Sequence, residues 1–516
     1  MNWSSLRPVL LGDGGPSFDD VVAVARGGAR VELSDAACAA IKRSRAHVEA
    51  AALGAHPIYG VTTGFGALAN TRIPPSDLRE LQYALVRSTA AGMGPPLPRE
   101  VVRAMMFLRA RTLALGFSGV RPKLVRAFLD LLNADLTPYV PCYGSLGASG
   151  DLAPLAHVAT ALIGEGLVVD AAGRARPAAE ALREAKIAPI GLEAKEGLSL
   201  VNGTDGMLGM LILACRDALR LFRTADVACA MSVEALLGTD RPFQPELHAI
   251  RPHPGQRASA TNLATMLADS PIVRSHRESD HAVQDAYSLR CHPQVIGAAR
   301  DTLSFAERVA ERELVSVTDN PIVLPDGRVE SGGNFHGEPL AFACDFLAIA
   351  AAEVGSIAER RIDRLLDHAR SQGLPAFLSP DPGLNCGLMI AQYTAAALVA
   401  ENRRLAAPAS VDSIPTSGMQ EDHVSMGWGA ALKLRGVLEN LARIVAIETL
   451  CATHGLALRE PLRPAKATSQ VTALVRGHVG GPGPDRILAP DLAVLERLVE
   501  EGAVLAAAER ACGSLA

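Results

Sequence analysis

The sequence predicts a mainly α protein, with a long-helix bundle body and a smaller mixed head toward the N-terminus. Glycine and proline punctuation is dense up to about residue 200 and sparser beyond it, the pattern of short elements followed by long ones. Three later stretches are rich in Ala, Leu and Ile and almost free of Gly and Pro in their interiors, as long helices require. A chain of 516 residues is enough, at about 150 residues per domain, for roughly three domain-sized masses or one large core with an appended head.

Taken in order, residues 1–200 form the expected head and residues 201–516 the expected bundle. The three helices are expected over Glu338 to Asp367, Cys386 to Leu405 and Val424 to Thr453. The first is apolar nearly all round until Glu359-Arg360-Arg361-Ile362-Asp363-Arg364, the composition of a helix buried among others. Gly477 to Pro490 is the best loop candidate. No repeat of solenoid period and no low-complexity segment is present.

Composition narrows the function classes. Hydrophobic residues make up 49%, charged residues 20%, and the net charge is −5, as in an ordinary globular protein. A mildly acidic chain with 4% aromatics lacks the basic, ring-bearing surface of a nucleic-acid binder. Nine scattered cysteines without a Cys-x-x-Cys pair indicate neither a disulfide framework nor a zinc knuckle, and fit a reducing compartment. The segment Met1 to Pro16 has only a short Val9-Leu10-Leu11 run before Gly12-Asp13-Gly14-Gly15, too little for a signal peptide. No apolar stretch runs for about 18 residues uninterrupted, since even Leu340 to Ala352 contains Asp345. A cytoplasmic protein without a membrane partner is expected.

Several motifs are weak. Thirteen histidines show no His-Glu-x-x-His and no His-x-His, so no metal site is indicated. Gly92-Met93-Gly94 runs into Pro95-Pro96, which cannot open a pyrophosphate-binding helix. Neither Ser145 nor Ser149 has the flanks of a nucleophile elbow.

The chemistry lies in residues 144 to 157, Gly-Ser-Leu-Gly-Ala-Ser-Gly-Asp-Leu-Ala-Pro-Leu-Ala-His, centred on Ala148-Ser149-Gly150. The bare tripeptide also reads as a tight turn before a helix, with Ser149 or Asp151 as N-cap. The fourteen residues together resemble the signature of the histidine and aromatic amino-acid ammonia-lyases. In that family the tripeptide cyclises autocatalytically into MIO, 4-methylidene-imidazol-5-one. The residue types suit the reaction. Glycine lets the amide of residue 150 fold back onto the Ala148 carbonyl, and loss of water from the ring and from the Ser149 hydroxyl leaves an electrophilic methylidene. Expelling an amine and removing a weakly acidic β-proton are separate problems; the electrophile addresses the first, and a base must address the second.

Further segments extend the resemblance across residues 30 to 510. Tyr59-Gly60-Val61-Thr62-Thr63-Gly64-Phe65-Gly66 is similar to the signature whose tyrosine is the base, a role that asks for a phenol depressed below its usual pKa of about 10. Glu196-Gly197-Leu198-Ser199-Leu200-Val201-Asn202-Gly203-Thr204 is similar to the segment whose asparagine holds the prosthetic group and the substrate amine. Gln284-Asp285-Ala286-Tyr287-Ser288-Leu289-Arg290-Cys291 implies Arg290 as a bidentate carboxylate clamp, with Tyr287 and Gln284 lining the site and Tyr287 the next candidate base. In Ser331 to Pro339 and Met419 to Met426 the resemblance implies that Phe335 packs near the electrophile and that Glu421 approaches the substrate side chain. A carboxylate suits an imidazole N–H, and phenylalanine lyases carry glutamine there, so Glu421 favours histidine.

One departure stands out. Histidine lyases read Ser-His-Ala-Ala-Gly where this chain reads Ser88-Thr89-Ala90-Ala91-Gly92, and Thr89 offers the substrate ring a hydroxyl but no titrating group. The resemblance implies a fumarase/aspartase-like helical fold, a homotetramer whose sites draw on more than one subunit, and elimination of ammonia from a ring-bearing L-amino acid, histidine to trans-urocanate foremost. A 2,3-aminomutase, or a lyase for another aromatic or modified-histidine substrate, is the alternative. A catalytically silent assembly protein would need a broken tripeptide or a lost base, and neither is seen.

Overall fold

The computed structural model describes residues 7–12, 14–54, 56–170, 173–279 and 281–516. Residues 1–6 and Asp13 of the N-terminal segment considered above lie outside them. The described chain is 59% helical, as the mainly α expectation requires. It falls into two compact units, one of Met1–Leu213, Glu307–Cys344 and Pro408–Leu432, the other of Ala214–Ala306, Asp345–Ala407 and Lys433–Ala516. Residues 1–200 thus belong wholly to the first unit, and 201–516 is shared between the two.

The first unit is mixed. Val9–Leu11 pairs in parallel with Val31–Leu33, and Met93–Pro96 pairs antiparallel with Pro141–Tyr143, so Pro95 and Pro96 end a strand rather than open a helix. Thr137–Pro138, Leu167–Val169 and Ala175–Pro177 form a three-stranded antiparallel sheet. Helix Phe18–Ala25 starts with a capping box, Asp20 N–H donating to Ser17 Oγ at 3.2 Å and Ser17 N–H to Asp20 Oδ2 at 2.8 Å, which satisfies two otherwise orphaned donors. Helix Arg99–Ala114 is buried from Val101 to its end. Its arginines are tolerated there because each finds acceptors: Arg103 Nε donates to the Val24 carbonyl at 3.0 Å, Arg109 pairs with Asp205 at 2.9 Å, and Arg111 Nη2 donates to the Glu313 carbonyl at 3.0 Å. A buried charge without such partners would cost several kcal/mol, of order 3–5.

The second unit carries most of the long-helix residues. The expected helices are present as Glu338–Leu366, Met389–Leu405 and Gly427–Ala457. Two start about three residues late for physical reasons. The Cys386 and Gly387 amides donate to the Asp485 carboxylate at 2.7 and 2.9 Å, and Gly387 has φ +56°, so the chain there is a loop held from elsewhere. Val424 N–H goes to Ser413 Oγ at 2.9 Å and Met426 N–H to the Leu146 carbonyl at 2.8 Å, which delays the next helix to Gly427. Helix Asp205–Ala235 was not singled out by the sequence reading, because Gly206 and Gly209 mask its start. The loop after Gly477 runs to the helix at Ala489. Within the second unit, Arg361 and Glu448 are fully buried and pair through Nη2–Oε2 at 2.8 Å; Asp226 takes His292 Nε2 at 2.9 Å and Arg300 at 2.8 Å. Glu338–Leu366 is long and apolar enough to cross a membrane by composition, and 61% of its most apolar window is buried in the protein. None of the nine cysteines, all among the described residues, forms a disulfide.

Candidate active site

A cavity of about 410 Å³ in the first unit is lined by Tyr59, Ala148, Ser149, Asn320, Phe335 and Glu421, among others. Five separate sequence segments therefore converge on one space. Ala148 to Gly150 form a tight turn closed by a bridge between Gly147 and Gly150, and Gly150 bridges Gly203 in turn. Ser149 has φ +51° and Gly150 φ +79°, left-handed values that are costly for a residue with a Cβ. A Cβ at Gly150 would lie 2.1 Å from the Gly203 carbonyl oxygen, so only glycine fits. A turn with its central residue left-handed and no side chain at its end suits closure of the 150 amide onto residue 148. These residues fit the prosthetic group that the tripeptide implies.

Asp151 does not make the local side-chain cap that the reading of the bare tripeptide as a turn offered for it. It is the N-cap of helix Leu152–Leu162 but makes no side-chain bond there. Its fully buried carboxylate instead accepts the Gly206 and Met207 amides at 2.8 and 2.9 Å, at the start of helix Asp205–Ala235, and its own amide donates to the Gly203 carbonyl at 2.8 Å. Burial pushes its pKa up to about 8, aided by Asp205 and opposed by those two amides. The sequence signal for this second role was only adjacency to the tripeptide.

Tyr59 stands edge-on to Phe65, with ring centres 6.4 Å apart, and its Oη accepts the Gly66 amide at 3.2 Å. Against the depressed phenol that a base near neutral pH asks for, burial raises the Tyr59 pKa and Glu421 adds to the rise, while the Gly66 amide opposes it. Desolvation of the phenolate outweighs one neutral donor. Glu421 is half-buried and accepts Thr416 Oγ1–H at 2.9 Å, inside a turn that Thr416 and Glu421 close by backbone pairing.

Asn202 does not line the cavity. It is 2% exposed, donates through Nδ2 to the Asn320 carbonyl at 2.9 Å, and offers its own carbonyl to Arg109 Nη1 at 2.9 Å. Asn320, which does line the cavity, escaped the sequence reading because an Asn-Pro step signals only a turn. Thr89 is the last residue of helix Leu78–Thr89, half-buried and outside the lining set. Gln284, Tyr287 and Arg290 lie in the second unit. Gln284 and Tyr287 are exposed, Arg290 stacks over the Tyr287 ring at 4.6 Å, and Arg290 Nε donates to the Asp285 carbonyl at 2.9 Å.

A mainly helical chain thus sets a glycine-flanked serine turn, a phenol, a phenyl ring and a carboxylate around one cavity. The profile of the aromatic amino acid lyases matches residues 17–477, and the chain belongs to that family. It is 58% identical to a histidine ammonia-lyase of Streptomyces avermitilis, over 99% of this chain and 100% of that protein. Among solved structures it is similar to tyrosine aminomutase from Streptomyces globisporus, at 39% identity and TM-score 0.93 over 99% of this chain and 100% of that one. It is likewise similar to histidine ammonia-lyase from Trypanosoma cruzi, at 42% identity and TM-score 0.89 over 98% and 95%.

Proposed function

We propose that the protein is an ammonia-lyase that converts L-histidine to trans-urocanate and ammonia, and that Ala148, Ser149 and Gly150 form MIO. The observation that carries this reading is the meeting of Tyr59, Ser149, Phe335 and Glu421 around one cavity, together with full-length similarity to proteins named histidine ammonia-lyase. The prosthetic group supplies an electrophile toward the substrate amine. Tyr59, as phenolate, takes the β-proton onto Oη; the C–H electron pair becomes the Cα–Cβ double bond as the C–N bond breaks and the amine leaves with its electrons. Glu421 accepts the imidazole N–H, Phe335 packs near the electrophile, and Asn202 holds the Asn320 carbonyl through its Nδ2.

Arg290 clamps the substrate carboxylate, with Gln284 and Tyr287 beside it, from another copy of the chain in a homotetramer; the exposure of Gln284 and Tyr287 on the single chain supports this. Thr89 meets the substrate ring where related lyases use histidine. The head over 1–200 bears the prosthetic group, the bundle over 201–516 assembles the tetramer, and the enzyme works in the cytoplasm. Ultraviolet-monitored incubation with histidine, tyrosine, phenylalanine and close relatives tests the reading. The similarity to a tyrosine aminomutase favours one second reading, a 2,3-aminomutase. Product separates them: an unsaturated acid with free ammonia, or a β-amino acid.

A further inference from the structure

Three hydrogen bonds tie the segment of Tyr59 to the segment of Glu421. Tyr59 Oη accepts the Gly66 amide at 3.2 Å, the Ala67 amide donates to Ser417 Oγ at 3.3 Å, and Thr416 Oγ1 donates to Glu421 Oε2 at 2.9 Å. Gly66 and Ala67 are neighbours in the chain, as are Thr416 and Ser417, so the bonds form one path from phenol to carboxylate. The approach is close: a Cβ at Gly66 would lie 2.5 Å from Ser417 Oγ. Tyr59, Gly66 and Glu421 line the cavity, whereas Thr416 and Ser417 are not among its lining residues.

The turn that carries Glu421 is strained. Ser417, Gly418 and Met419 have left-handed φ values of +51°, +59° and +71°, and for the two with a Cβ this costs of order 1–3 kcal/mol each. Thr416 closes the turn. Its amide donates to the Glu421 carbonyl at 2.9 Å, and its carbonyl accepts the Glu421 and Met419 amides at 3.3 and 3.1 Å. These backbone bonds fix residue 421, but a glutamate side chain still rotates about its own bonds, and freezing it costs up to about 2 kcal/mol. The Thr416 hydroxyl restricts that rotation. It takes Oε2 and leaves Oε1 without a donor among the described residues, so the lone pairs of Oε1 are open to a ligand.

We propose that Thr416 is a positioning residue for substrate recognition: its hydroxyl sets Glu421 so that Oε1 meets a donating ring N–H, and the preference for an imidazole over a hydrocarbon ring depends on it. The inference deepens the reading of Glu421 as the ring acceptor and rests on it. A carboxylate that is already oriented binds the ring without first losing rotamer entropy, and a ring that offers no N–H gains nothing from the arrangement. The Ser417 link to Ala67 holds this acceptor in register with Tyr59, so that one substrate meets both, its ring at Glu421 and its β-carbon at the phenol. Thr416 escaped the sequence reading because it lies outside the Met419 to Met426 segment.

The test is titration calorimetry of the full-length protein with imidazolepropanoate and phenylpropanoate, which differ in the ring and lack the amine that is eliminated. Thr416→Val, a change of similar shape without the hydroxyl, should weaken imidazolepropanoate binding by roughly three- to tenfold, the net worth of one hydrogen bond, and leave phenylpropanoate binding unmoved. Thr416→Ser keeps the hydroxyl and should restore the parent affinity. In a Glu421→Ala background Thr416→Val should cost nothing further, because the residue acts through Glu421. Where Thr416→Val does not melt as the parent does, Thr416→Ala makes the same comparison. Equal weakening of both ligands, a loss that persists undiminished in the Glu421→Ala background, no loss at all, or no saturable binding of imidazolepropanoate would overturn the proposal. Histidine turnover, assayed on the same samples, keeps the two readings apart. A protein that releases urocanate and fails these contrasts is a lyase without this positioning role, and contrasts that hold in a protein making no urocanate refute the lyase reading alone.

Discussion

Gly150 and Gly203 approach so closely that a Cβ on the first would sit 2.1 Å from the carbonyl oxygen of the second. The contact locks the end of the serine turn against the segment that leads into helix Asp205–Ala235, and φ +79° at Gly150 excludes other residues on conformational grounds as well. Gly150→Ala should therefore abolish turnover and lower the melting temperature by about 1–3 °C, the size expected of about 1–3 kcal/mol of strain in a chain of this length. Activity assays and calorimetry on the two proteins check this. A variant with parent-like melting and turnover would mean that the turn is looser than its geometry implies.

Tyr59→Phe should cut turnover by several orders of magnitude while leaving the prosthetic-group absorbance in place, because proton abstraction and electrophile formation are separate jobs. The raised pKa of Tyr59 sets the sign of the pH dependence. Only the phenolate accepts the β-proton, so kcat/KM should climb with pH, by about tenfold per unit below the phenol's pKa, and still be climbing near pH 9. A profile flat from about pH 7 upward would place the base elsewhere, with Tyr287 next in line.

Asp151 carries a different pH signature. Its folded pKa of about 8 lies above the ordinary 3.8, so the folded state holds the proton more tightly. The resulting stability is fully present below the ordinary value and is lost as pH rises through about 8. Asp151→Asn keeps a neutral acceptor for the Gly206 and Met207 amides and should flatten that decline. Melting temperatures of both proteins from about pH 4 to 9 measure it, and parallel curves would show that Asp151 is ionised throughout.

These cases also show where a sequence is legible. Tyr59, Ala148, Ser149 and Phe335 sit in contiguous, glycine-rich segments and Glu421 in a run of polar residues, segments whose residue types are dictated by chemistry, and the five line one cavity. The long helices were legible because composition sets them, but the starts at Met389 and Gly427 depend on the Asp485 carboxylate and the Leu146 carbonyl, far away in the chain. The Asp151 contact with helix Asp205–Ala235, the Asn202 contact with Asn320 and the His336 contact with His423 are likewise long-range. The direction of the Tyr59 shift depends on burial, which no local motif encodes.

Thr89→His tests substrate reading. If residue 89 meets the imidazole, a restored hydrogen bond of about 1–3 kcal/mol should raise kcat/KM for histidine by roughly tenfold to a hundredfold over other ring-bearing amino acids. Kinetics of both proteins on a panel of such substrates give the ranking. An unchanged ranking would remove residue 89 from substrate recognition.

The measurement that bears most directly on the whole account is incubation of the protein, and of Ser149→Ala, with L-histidine, following urocanate by ultraviolet absorbance and ammonia in parallel. The intact protein should release urocanate and ammonia in equal amounts, and Ser149→Ala, folded as before, should lose nearly all turnover because the hydroxyl lost in forming the electrophile is gone. Full activity in Ser149→Ala, or conversion of histidine by the intact protein to a β-amino acid without free ammonia, would contradict it.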